Sequence, residues 1–266
     1  MIKICMAGAC GRMGRRILEM TVEAEDTTIG GAFDSPDNAG SELIVGGDSG
    51  QPQTLTVGGD AKAEISKSNA MIDFTFADVC LPNIRACAEL GVPAIIGTTG
   101  LNQEQTAEIA ELAKQIPIVH APNMSVGVNL LFKLTNEVAS ILGLDYNCEI
   151  VEMHHNQKKD APSGTAVRLA ERAAEGLGLD YHKDVAHGRE GMVGARPRAE
   201  IGMHTMRGGD VVGDHTVSFV GQGERIELTH KAHNRDNFAR GSLVAARFAV
   251  KAEPGLYDMQ DVLGLK

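Results

Sequence analysis

The sequence predicts an α/β protein with a second domain of a different class, and three observations lead to this prediction. Over roughly the first 120 residues, short apolar runs alternate with helical patterns, which is typical of a parallel sheet covered by helices on both faces. The first apolar run ends in a glycine-rich loop that opens a helix. Beyond residue 146 the pattern changes to consecutive strand-like runs separated by glycine turns, which favours an antiparallel or mixed sheet.

The first half repeats an alternation of strand and helix. Residues 2–7 form a short apolar run, and Met13, Ile17 and Met20 then recur at helical spacing within residues 12–24. By the same criteria, further strands are predicted at 28–33, 70–74, 93–96 and 116–120, and further helices at 78–90 and 102–115. Residues 35–59 are rich in Gly, Pro, Asp and Ser, so we expect loops there.

The second half begins with a predicted strand at 148–153 and a helix at 163–176. Runs rich in Val, Thr, Ile and His follow at 200–206, 211–220 and 225–230, and a last helix is predicted at 237–252. A chain of 266 residues is long enough for two modest domains, and the change of pattern indicates that a second domain lies in this half.

Composition and charge argue against several classes of protein. Hydrophobic residues make up 43% of the chain, and no apolar run reaches the roughly 20 residues that cross a bilayer. The N-terminus lacks the pattern of a secretory signal, so a cytoplasmic location is expected. The formal net charge of −10 disfavours nucleic-acid binding. Five cysteines without paired short spacings are expected to be free thiols.

The loop after the first strand, Gly8-Ala9-Cys10-Gly11-Arg12-Met13-Gly14, has the features of a dinucleotide-binding turn. A loop that joins a parallel strand to a helix presents N–H groups and the positive end of the helix dipole to a pyrophosphate. Its glycines are one residue more widely spaced than in the G-x-G-x-x-G fingerprint, and a simple tight turn would show the same pattern. Asp34 lies about 20 residues further on, where the fingerprint expects an acid for the ribose.

Asp34 also bears on the choice of cofactor. A carboxylate at this place accepts hydrogen bonds from a ribose 2′-hydroxyl and repels a 2′-phosphate. No arginine follows the acid directly, although Arg12, Arg15 and Arg16 are candidates for a phosphate contact. We therefore expect NADH to be preferred, or both NADH and NADPH to be accepted.

Two later loops follow predicted strands and are candidates for further cofactor contacts. They are Gly97-Thr98-Thr99-Gly100 and Ala121-Pro122-Asn123-Met124. Loops at the carboxyl ends of parallel strands line the ligand crevice in such folds. Ordinary connections between a strand and a helix would show the same pattern.

Residues 154–166 form the densest polar cluster of the sequence. The cluster contains His154, His155, Lys158, Pro162, Ser163, Gly164 and Thr165, and it ends at a predicted helix start. Adjacent residues on a strand face opposite sides, so the two histidines are expected to have different roles. The helix start offers N–H groups and hydroxyls to an anion, and the basic side chains supply charge and a proton donor. The cluster therefore predicts a carboxylate-binding pocket, and a solvated loop before a capped helix is the alternative.

A metal site is another chemistry that histidines can support. The chain has nine histidines, most of them in its second half. Their spacing matches no His-Glu-x-x-His or related helical pattern, so we expect no catalytic metal.

These residues resemble the family of 4-hydroxy-tetrahydrodipicolinate reductases, also called dihydrodipicolinate reductases, of the bacterial and plant lysine pathway. The matching motifs are the glycine loop ending in Gly11-Arg12-Met13-Gly14 and the segment from Glu149 through His154, His155 and Lys158 to Ala166. Further matches are 97–100, 123–129, 207–209, 213–215, 230–235 and 255–259. The matches span nearly the whole chain, and the combination of His-His-x-x-Lys with Ser-Gly-Thr is highly specific.

The resemblance implies a Rossmann-type doubly wound parallel sheet with an inserted mixed-sheet domain. The dinucleotide-binding domain would be residues 1–125 completed by 235–266, and residues 126–234 would bind substrate and form the oligomer. A homotetramer is implied. The implied reaction is the reduction of a small dicarboxylate, with loss of water, to tetrahydrodipicolinate by hydride transfer from NADH or NADPH. No nucleic-acid or membrane partner is expected.

The resemblance also assigns roles to individual residues. His154 would carry out acid/base chemistry and Lys158 would donate a proton, and which of the two returns the proton stays open. His155, Gly164 and Thr165 would bind substrate, and the argument from the helix start adds Ser163. The cofactor contacts would be Gly8, Ala9, Cys10, Gly11, Arg12, Met13, Asp34, Gly97, Thr98, Thr99, Ala121, Pro122, Asn123 and Met124. The missing arginine after Asp34 departs from the family's pattern and weakens any preference for NADPH.

Two other functions stay open at this point. Another Rossmann reductase or dehydrogenase that acts on a small amino or oxo acid would share the loop and the second domain. A redox sensor would hold a dinucleotide without turnover. The basic residues of the polar cluster at 154–166 argue against a redox sensor, because a sensor needs no proton donor beside the nicotinamide.

Overall fold

The chain folds into two compact units. The structure, a computed structural model, describes residues 1–46 and 52–266. Unit 1 comprises Met1–Val126 and Asp236–Lys266, and unit 2 comprises Gly127–Arg235. The predicted domain boundaries, after residues 125 and 234, fall next to these divisions. The chain thus leaves unit 1 once, builds unit 2, and returns.

Unit 1 is built on a six-stranded sheet whose neighbouring strands all run parallel. The strands are β1 (Ile2–Ala7), β2 (Thr27–Phe33), β5 (Ala70–Asp73), β6 (Ala94–Ile96), β7 (Pro117–His120) and β13 (Gly255–Tyr257). Their order, β13-β7-β6-β5-β1-β2, reverses direction at β1. In open α/β sheets, ligands bind at the carboxyl ends of the strands beside such a reversal.

Helices cover both faces of this sheet, as the sequence predicted. They are α1 (Arg12–Glu23), α2 (Ala61–Ile65), α3 (Ala77–Leu90), α4 (Gln103–Leu112), α8 (Asp236–Ala249) and α9 (Met259–Val262). One buried cluster joins Ile17 of α1 and Leu243 of α8 to Ile4, and another joins Ile84 of α3 and Ile109 of α4. The strands read as nearly continuous apolar runs because both of their faces are buried.

The prediction of loops for residues 35–59 is wrong for two segments. β3 (Glu42–Val45) and β4 (Gln53–Thr56) form an antiparallel pair, and Leu43 and Val45 point into the core of unit 1. Strands of four residues are too short for their alternation to stand out among flanking Gly, Pro, Asp and Ser. Residues 47–51 of this prediction lie outside the described residues.

Unit 2 contains a mixed five-stranded sheet, which confirms the predicted change of class. Its strands are β8 (Asn147–His154), β9 (Val185–His187), β10 (Ile201–Arg207), β11 (Gly213–Val220) and β12 (Arg225–Ala232), in the order β12-β11-β8-β10-β9. β8, β10 and β9 are parallel, whereas β11 is antiparallel to both β8 and β12. The consecutive strands β10 and β11 therefore do not pair but lie on either side of β8.

Helices α5 (Val126–Leu142) and α6 (Gly164–Leu177) pack against one face of this sheet, and α7 (Tyr181–Asp184) is a short addition. α5 was not among the predicted elements. Side chains on β8 alternate between the two faces, so that Cys148, Ile150, Glu152 and His154 lie on the buried one. The apolar members of this row belong to the core, and its two polar members lie at the carboxyl end of the strand.

Among the helices within residues 1–46 and 52–266, none has both the length and the apolar character needed to span a membrane.

Candidate functional site

The glycine loop of unit 1 has a backbone that requires glycine at its two ends. Gly8 has a φ of +80°, in the left-handed region that side chains rarely adopt. A Cβ atom at Gly14 would lie 2.1 Å from the carbonyl oxygen of Gly8. The first turn of α1 therefore approaches the end of β1 more closely than any other residue type would permit.

The hydrogen bonds of this loop show which N–H groups are available to a ligand. Gly8 and Ala9 donate to the carbonyl oxygen of Phe33, at 3.0 and 3.2 Å, and Gly11 donates to Gly8. No side chain of the described chain caps the N-terminus of α1. The backbone N–H groups of Arg12 and Met13 open the helix, where no intrahelical acceptor exists. These two groups and the positive end of the helix dipole have the geometry that suits an anion.

Asp34 follows β2 and is held firmly beside the loop. Its carboxylate accepts hydrogen bonds from the Cys10 N–H, the Ser35 N–H and the Asn38 side chain, each at 2.8 Å. Partial burial raises the pKa of Asp34, but these hydrogen bonds lower it by more than burial raises it. The pKa of Asp34 is therefore below its usual value. An ionised carboxylate has about four acceptor positions, and the side chain of Ser35 is a further donor to Asp34, so a ribose hydroxyl would take the place of that exchangeable donor.

A cleft of about 470 Å³ lies beside Asp34. Its lining includes Gly8, Gly11 and Asp34, together with Phe74 and Phe76 from the segment after β5. The ring of Phe76 is 80% exposed at this cleft. Sequence reasoning did not single it out, because one aromatic residue in a loop carries no pattern.

The three arginines at the start of α1 differ in their availability. Arg16 forms two hydrogen bonds with Asp236, at 2.7 and 3.0 Å, and a third with Glu19 at 2.7 Å, which raise its pKa. Arg16 is therefore not available to a phosphate. Arg15 donates to the carbonyl oxygen of Cys10, and the side chain of Arg12 is exposed.

The Gly97–Thr99 loop is tied to the end of β5 by a buried carboxylate. Asp73 is fully buried and accepts hydrogen bonds from the hydroxyls of Thr98 and Thr75, at 2.6 and 2.7 Å, and from the side chain of Asn83 at 2.8 Å. It also accepts one from the N–H of Thr75. The hydroxyl of Thr98 therefore holds the loop, and Thr99 is the exposed member.

The loop from Ala121 to Met124 is held against α8. A Cβ atom at Gly241 of α8 would lie 1.7 Å from the carbonyl oxygen of Met124. Ala121 and Met124 are buried in the core of unit 1, while Pro122 is exposed and Asn123 is partly exposed. Pro122 and Asn123 are thus the accessible part of this predicted contact.

In unit 2, His154 is paired with a buried carboxylate. Its Nδ1 atom lies 2.6 Å from an oxygen of Glu152, which is fully buried. Glu152 also accepts two hydrogen bonds from Arg207, at 2.9 and 3.0 Å, and one from the Ser163 N–H at 3.0 Å. Burial raises the pKa of Glu152, but the hydrogen bonds from Arg207 and His154 bring it below the usual value.

The other cluster residues surround this pair. The Nζ atom of Lys158 lies 2.9 Å from Asp160. His155 follows the end of β8 and is partly exposed, and its Nδ1 atom accepts a hydrogen bond from the Gln157 N–H. The two adjacent histidines thus have different surroundings, as strand alternation predicts.

The start of α6 combines a buried cap with accessible residues. Ser163 is the N-cap, and its hydroxyl accepts the Ala166 N–H and lies 3.1 Å from Nε2 of His215. Ser163 is 2% exposed, whereas Gly164 is exposed and Thr165 partly exposed. The surface offered by this predicted substrate site is therefore Gly164 and Thr165, with Ser163 supporting them from below.

Burial lowers the pKa of both buried histidines of this cluster, His154 and His215. It lowers the pKa of His154 more than Glu152 raises it, and Lys158 and Arg207 lower it further. It lowers the pKa of His215 to about 3. The rings of the two histidines meet edge to face with centroids 5.1 Å apart. Both are therefore neutral at neutral pH.

Glu152, Arg207 and His215 were not predicted as site residues, although all three lie in motifs that the resemblance matched. They come together because β10 and β11 flank β8, with Arg207 opposite His154 and His215 opposite Glu152. Strand order of this kind is not visible in local sequence. Within the described segments, no group of three or more His, Cys, Asp or Glu side chains is arranged to hold a metal ion.

Comparison with known proteins identifies the family. The model of the dihydrodipicolinate reductase N-terminus matches residues 2–124, and that of the C-terminus matches residues 127–263. The chain belongs to the dihydrodipicolinate reductase family. Proteins named 4-hydroxy-tetrahydrodipicolinate reductase from Geobacter metallireducens and Citrifermentans bemidjiense are 52% and 51% identical to it, each over 100% of both chains.

Solved structures agree with this membership. The dipicolinate-bound dihydrodipicolinate reductase from Paenisporosarcina sp. TG-14 is similar with a TM-score of 0.77 and 25% identity, covering 98% of both chains. A probable dehydrogenase from Thermotoga maritima shares the fold alone, with a TM-score of 0.61 and 13% identity over 99% of this chain and 93% of that one. The predicted family and fold are confirmed, and the chain is a reductase of lysine and diaminopimelate biosynthesis, from a family of pyridine-nucleotide-dependent enzymes.

Proposed function

We propose that the chain reduces 4-hydroxy-tetrahydrodipicolinate to tetrahydrodipicolinate with NADH or NADPH. The reaction adds one hydride and one proton to the substrate and releases one water. The observation that carries the proposal is the pairing of His154 with buried Glu152, next to Lys158 and the exposed start of α6. The names of the relatives and the dipicolinate bound to the Paenisporosarcina enzyme support a small dicarboxylate as substrate.

The residues of unit 1 fit a dinucleotide. The close approach at Gly14 and the uncapped helix start leave a cradle that a Cβ atom would fill. The N–H groups of Arg12 and Met13 would hold the pyrophosphate, and Asp34 would accept a ribose hydroxyl. Thr99, Pro122 and Asn123 are the accessible residues of the neighbouring loops. The bound nicotinamide supplies the hydride.

The residues of unit 2 bind the dicarboxylate and handle the proton. The N–H groups at Gly164 and Thr165 begin α6 and suit a carboxylate, and His155 and Lys158 add hydrogen bonds and positive charge. Lys158 or His154 returns the proton to the reduced ring. Replacing either residue is expected to lower kcat by a factor of about 10² to 10⁴.

The test is the loss of absorbance at 340 nm when NADH is mixed with enzymatically generated 4-hydroxy-tetrahydrodipicolinate. The wild-type chain is expected to oxidise NADH only when this substrate is present. The double variant H154A/K158A should lose turnover and retain its affinity for NADH, while Lys159→Ala, at an exposed neighbouring lysine, should behave as the wild type. Unchanged turnover in the double variant would contradict the assignment.

We further propose that the chain prefers NADH or accepts both cofactors. The support is the ionised Asp34, which repels a 2′-phosphate, and the engagement of Arg16 by Asp236 and Glu19. Asp34→Ser is expected to raise the affinity for NADPH relative to NADH about tenfold, which binding measurements with each cofactor would show. A wild-type kcat/KM that is much higher with NADPH would contradict this preference.

A homotetramer assembled through unit 2 is proposed as the form in solution. The supporting observation is the face of the five-stranded sheet that no helix of unit 2 covers. It carries half-buried Val151, Met153 and Val220 and exposed Met206. Light scattering coupled to size-exclusion chromatography should give four times the 28.2 kDa chain mass, and a monomer would contradict the proposal.

A further inference from the structure

We infer that Glu152 and Arg207 are positioning residues that hold His154 in one neutral tautomer, with its proton on Nδ1 and its Nε2 atom free for the reaction. The use of Nε2 in a reaction rests on the proposed function. The tautomer itself is a property of unit 2 that can be observed without turnover.

The first step of the argument is the contact between the two side chains. An ionised carboxylate accepts hydrogen bonds and has no proton to donate. Because the Nδ1 atom of His154 lies 2.6 Å from Glu152, this nitrogen must carry the proton and donate it. The other ring nitrogen, Nε2, is then the acceptor. The backbone of Gly213 lies close to this nitrogen, since a Cβ atom there would come within 2.9 Å of it.

The second step is the way in which Arg207 fixes Glu152. The two terminal nitrogens of Arg207 each donate a hydrogen bond to a different carboxylate oxygen of Glu152. The same nitrogens also donate to the backbone carbonyl oxygens of Met206 and Asp160, at 2.6 and 2.7 Å. The guanidinium is therefore held between backbone and carboxylate in one plane. This planar fork gives the carboxylate a single orientation, which a lysine would not reproduce.

The third step is electrostatic. The charged and titratable groups around His154 are Glu152 on its own strand, Lys158 in the following loop, Arg207 on β10 and His215 on β11. Arg207 offsets the negative charge of Glu152, Lys158 adds positive charge, and His215 is neutral. A second proton on His154 is therefore disfavoured. Consequently Nε2 of His154 carries no proton to give, and the proton returned to the product comes from Lys158.

A second cluster on the same strand offers a matched control. Glu149 lies on the opposite face of β8 and accepts hydrogen bonds from Arg189, Arg196 and His204. It repeats the combination of carboxylate, arginine and histidine away from His154. Removing an arginine from the Glu149 cluster is expected to disturb the sheet about as much as removing Arg207 does, but it leaves the charges around His154 unchanged.

The experiment is ¹⁵N NMR of histidine-labelled full-length protein over a pH titration. In the wild type, His154 should show a protonated Nδ1, an unprotonated Nε2 and a titration midpoint below the usual 6.5. Arg207→Met should raise the midpoint by one pH unit or more, a tenfold change in proton affinity, because Glu152 is left uncompensated. Arg207→Lys, which retains the charge, should bring the midpoint back toward that of the wild type, and Arg189→Met should not move it.

Glu152→Gln keeps the shape of the side chain and removes its charge, so the midpoint should move in the opposite direction, downward. This second variant tests the inference even if Arg207→Met does not fold. The inference is overturned by a wild-type His154 that carries its proton on Nε2. It is equally overturned if the folded variants titrate like the wild type, or if R207K shifts the midpoint as far as R207M. Failure of NADH oxidation with these NMR results intact would instead contradict the proposed function.

Discussion

Asp73 in unit 1 and Glu152 in unit 2 are both fully buried carboxylates near the carboxyl end of a central strand, and they are stabilised in different ways. Asp73 receives only neutral donors, from Thr75, Thr98 and Asn83. Glu152 receives the guanidinium of Arg207 and the imidazole of His154. Neutral donors supply hydrogen bonds without an opposite charge, whereas an arginine supplies both.

The difference matches what each unit offers to a ligand. In unit 1, Asp73 connects two loops, and the groups facing the cleft are largely backbone N–H groups and one further carboxylate, Asp34. In unit 2, Glu152 sets the state of a side chain that takes part in the proposed chemistry. One buried carboxylate thus connects two loops, and under the proposed function the other positions a reacting group.

The largest loss of stability should come from removing Glu152, the carboxylate that is paired with an arginine. Glu152→Ala is expected to lower the free energy of unfolding by about 3 to 5 kcal/mol, because it leaves the charge of Arg207 uncompensated and the Ser163 N–H without an acceptor. Urea denaturation followed by circular dichroism measures this. A loss below about 1 kcal/mol would show that Glu152 is not the centre of the network.

A smaller loss of stability is expected from removing Asp73, whose hydrogen-bond donors are all neutral. Asp73→Ala should lower the free energy of unfolding by about 2 to 3 kcal/mol, because the lost hydrogen bonds are partly offset by relief from burying an uncompensated charge. The same denaturation experiment applies, with NADH affinity as a second readout. If Asp73→Ala is more destabilising than Glu152→Ala, the contrast between the two carboxylates is wrong.

The separation of ligand binding between the units is tested by Gly14→Ala. The new methyl group would lie 2.1 Å from the Gly8 carbonyl oxygen, so the first turn of α1 must move and NADH affinity should fall about tenfold or more, roughly 1.4 kcal/mol. Gly11→Ala, where the same distance is 3.2 Å, should cost less. Calorimetry with NADH and with dipicolinate separates the two sites, and equal losses for both ligands would contradict the separation.

The smallest expected effect is a difference in pH dependence. The lowered pKa of Glu152 contributes stability above the usual carboxyl pKa, and this contribution is lost as the pH falls through the folded-state value. With His154 replaced by alanine in both proteins, so that its own titration does not contribute, the protein with Glu152 should lose more free energy of unfolding than its Glu152→Gln counterpart as the pH falls below about 4.5, by on the order of 1 kcal/mol. Identical acid dependence of the two proteins would show that the pKa of Glu152 is not lowered by folding.

Local pattern was sufficient to predict most elements and to single out the segments of both proposed sites. The run from Ile2 through the glycine loop into α1 was recognisable because strand, turn and helix are each encoded within a few residues. Asp34 was found by its distance along the chain. His154 and Lys158 stood out because polar residues are dense around them.

Partners that depend on strand order were not predictable. Arg207 meets Glu152 only because β10 pairs with β8 in parallel, although a glycine turn follows β10 and an antiparallel hairpin with β11 was equally compatible with the sequence. Asp73 closes an apolar run, and its donors come from three separate segments. The pair β3 and β4 was missed because its strands are short.

The return of the chain to unit 1 has a consequence for its synthesis. Asp236–Ala249 supplies Leu243 and several alanines to the same core as Ile17. Unit 2 is continuous in sequence and precedes that helix, so its core residues leave the ribosome before the helix does. During translation the inserted unit therefore completes first, while the surrounding one keeps an apolar face uncovered.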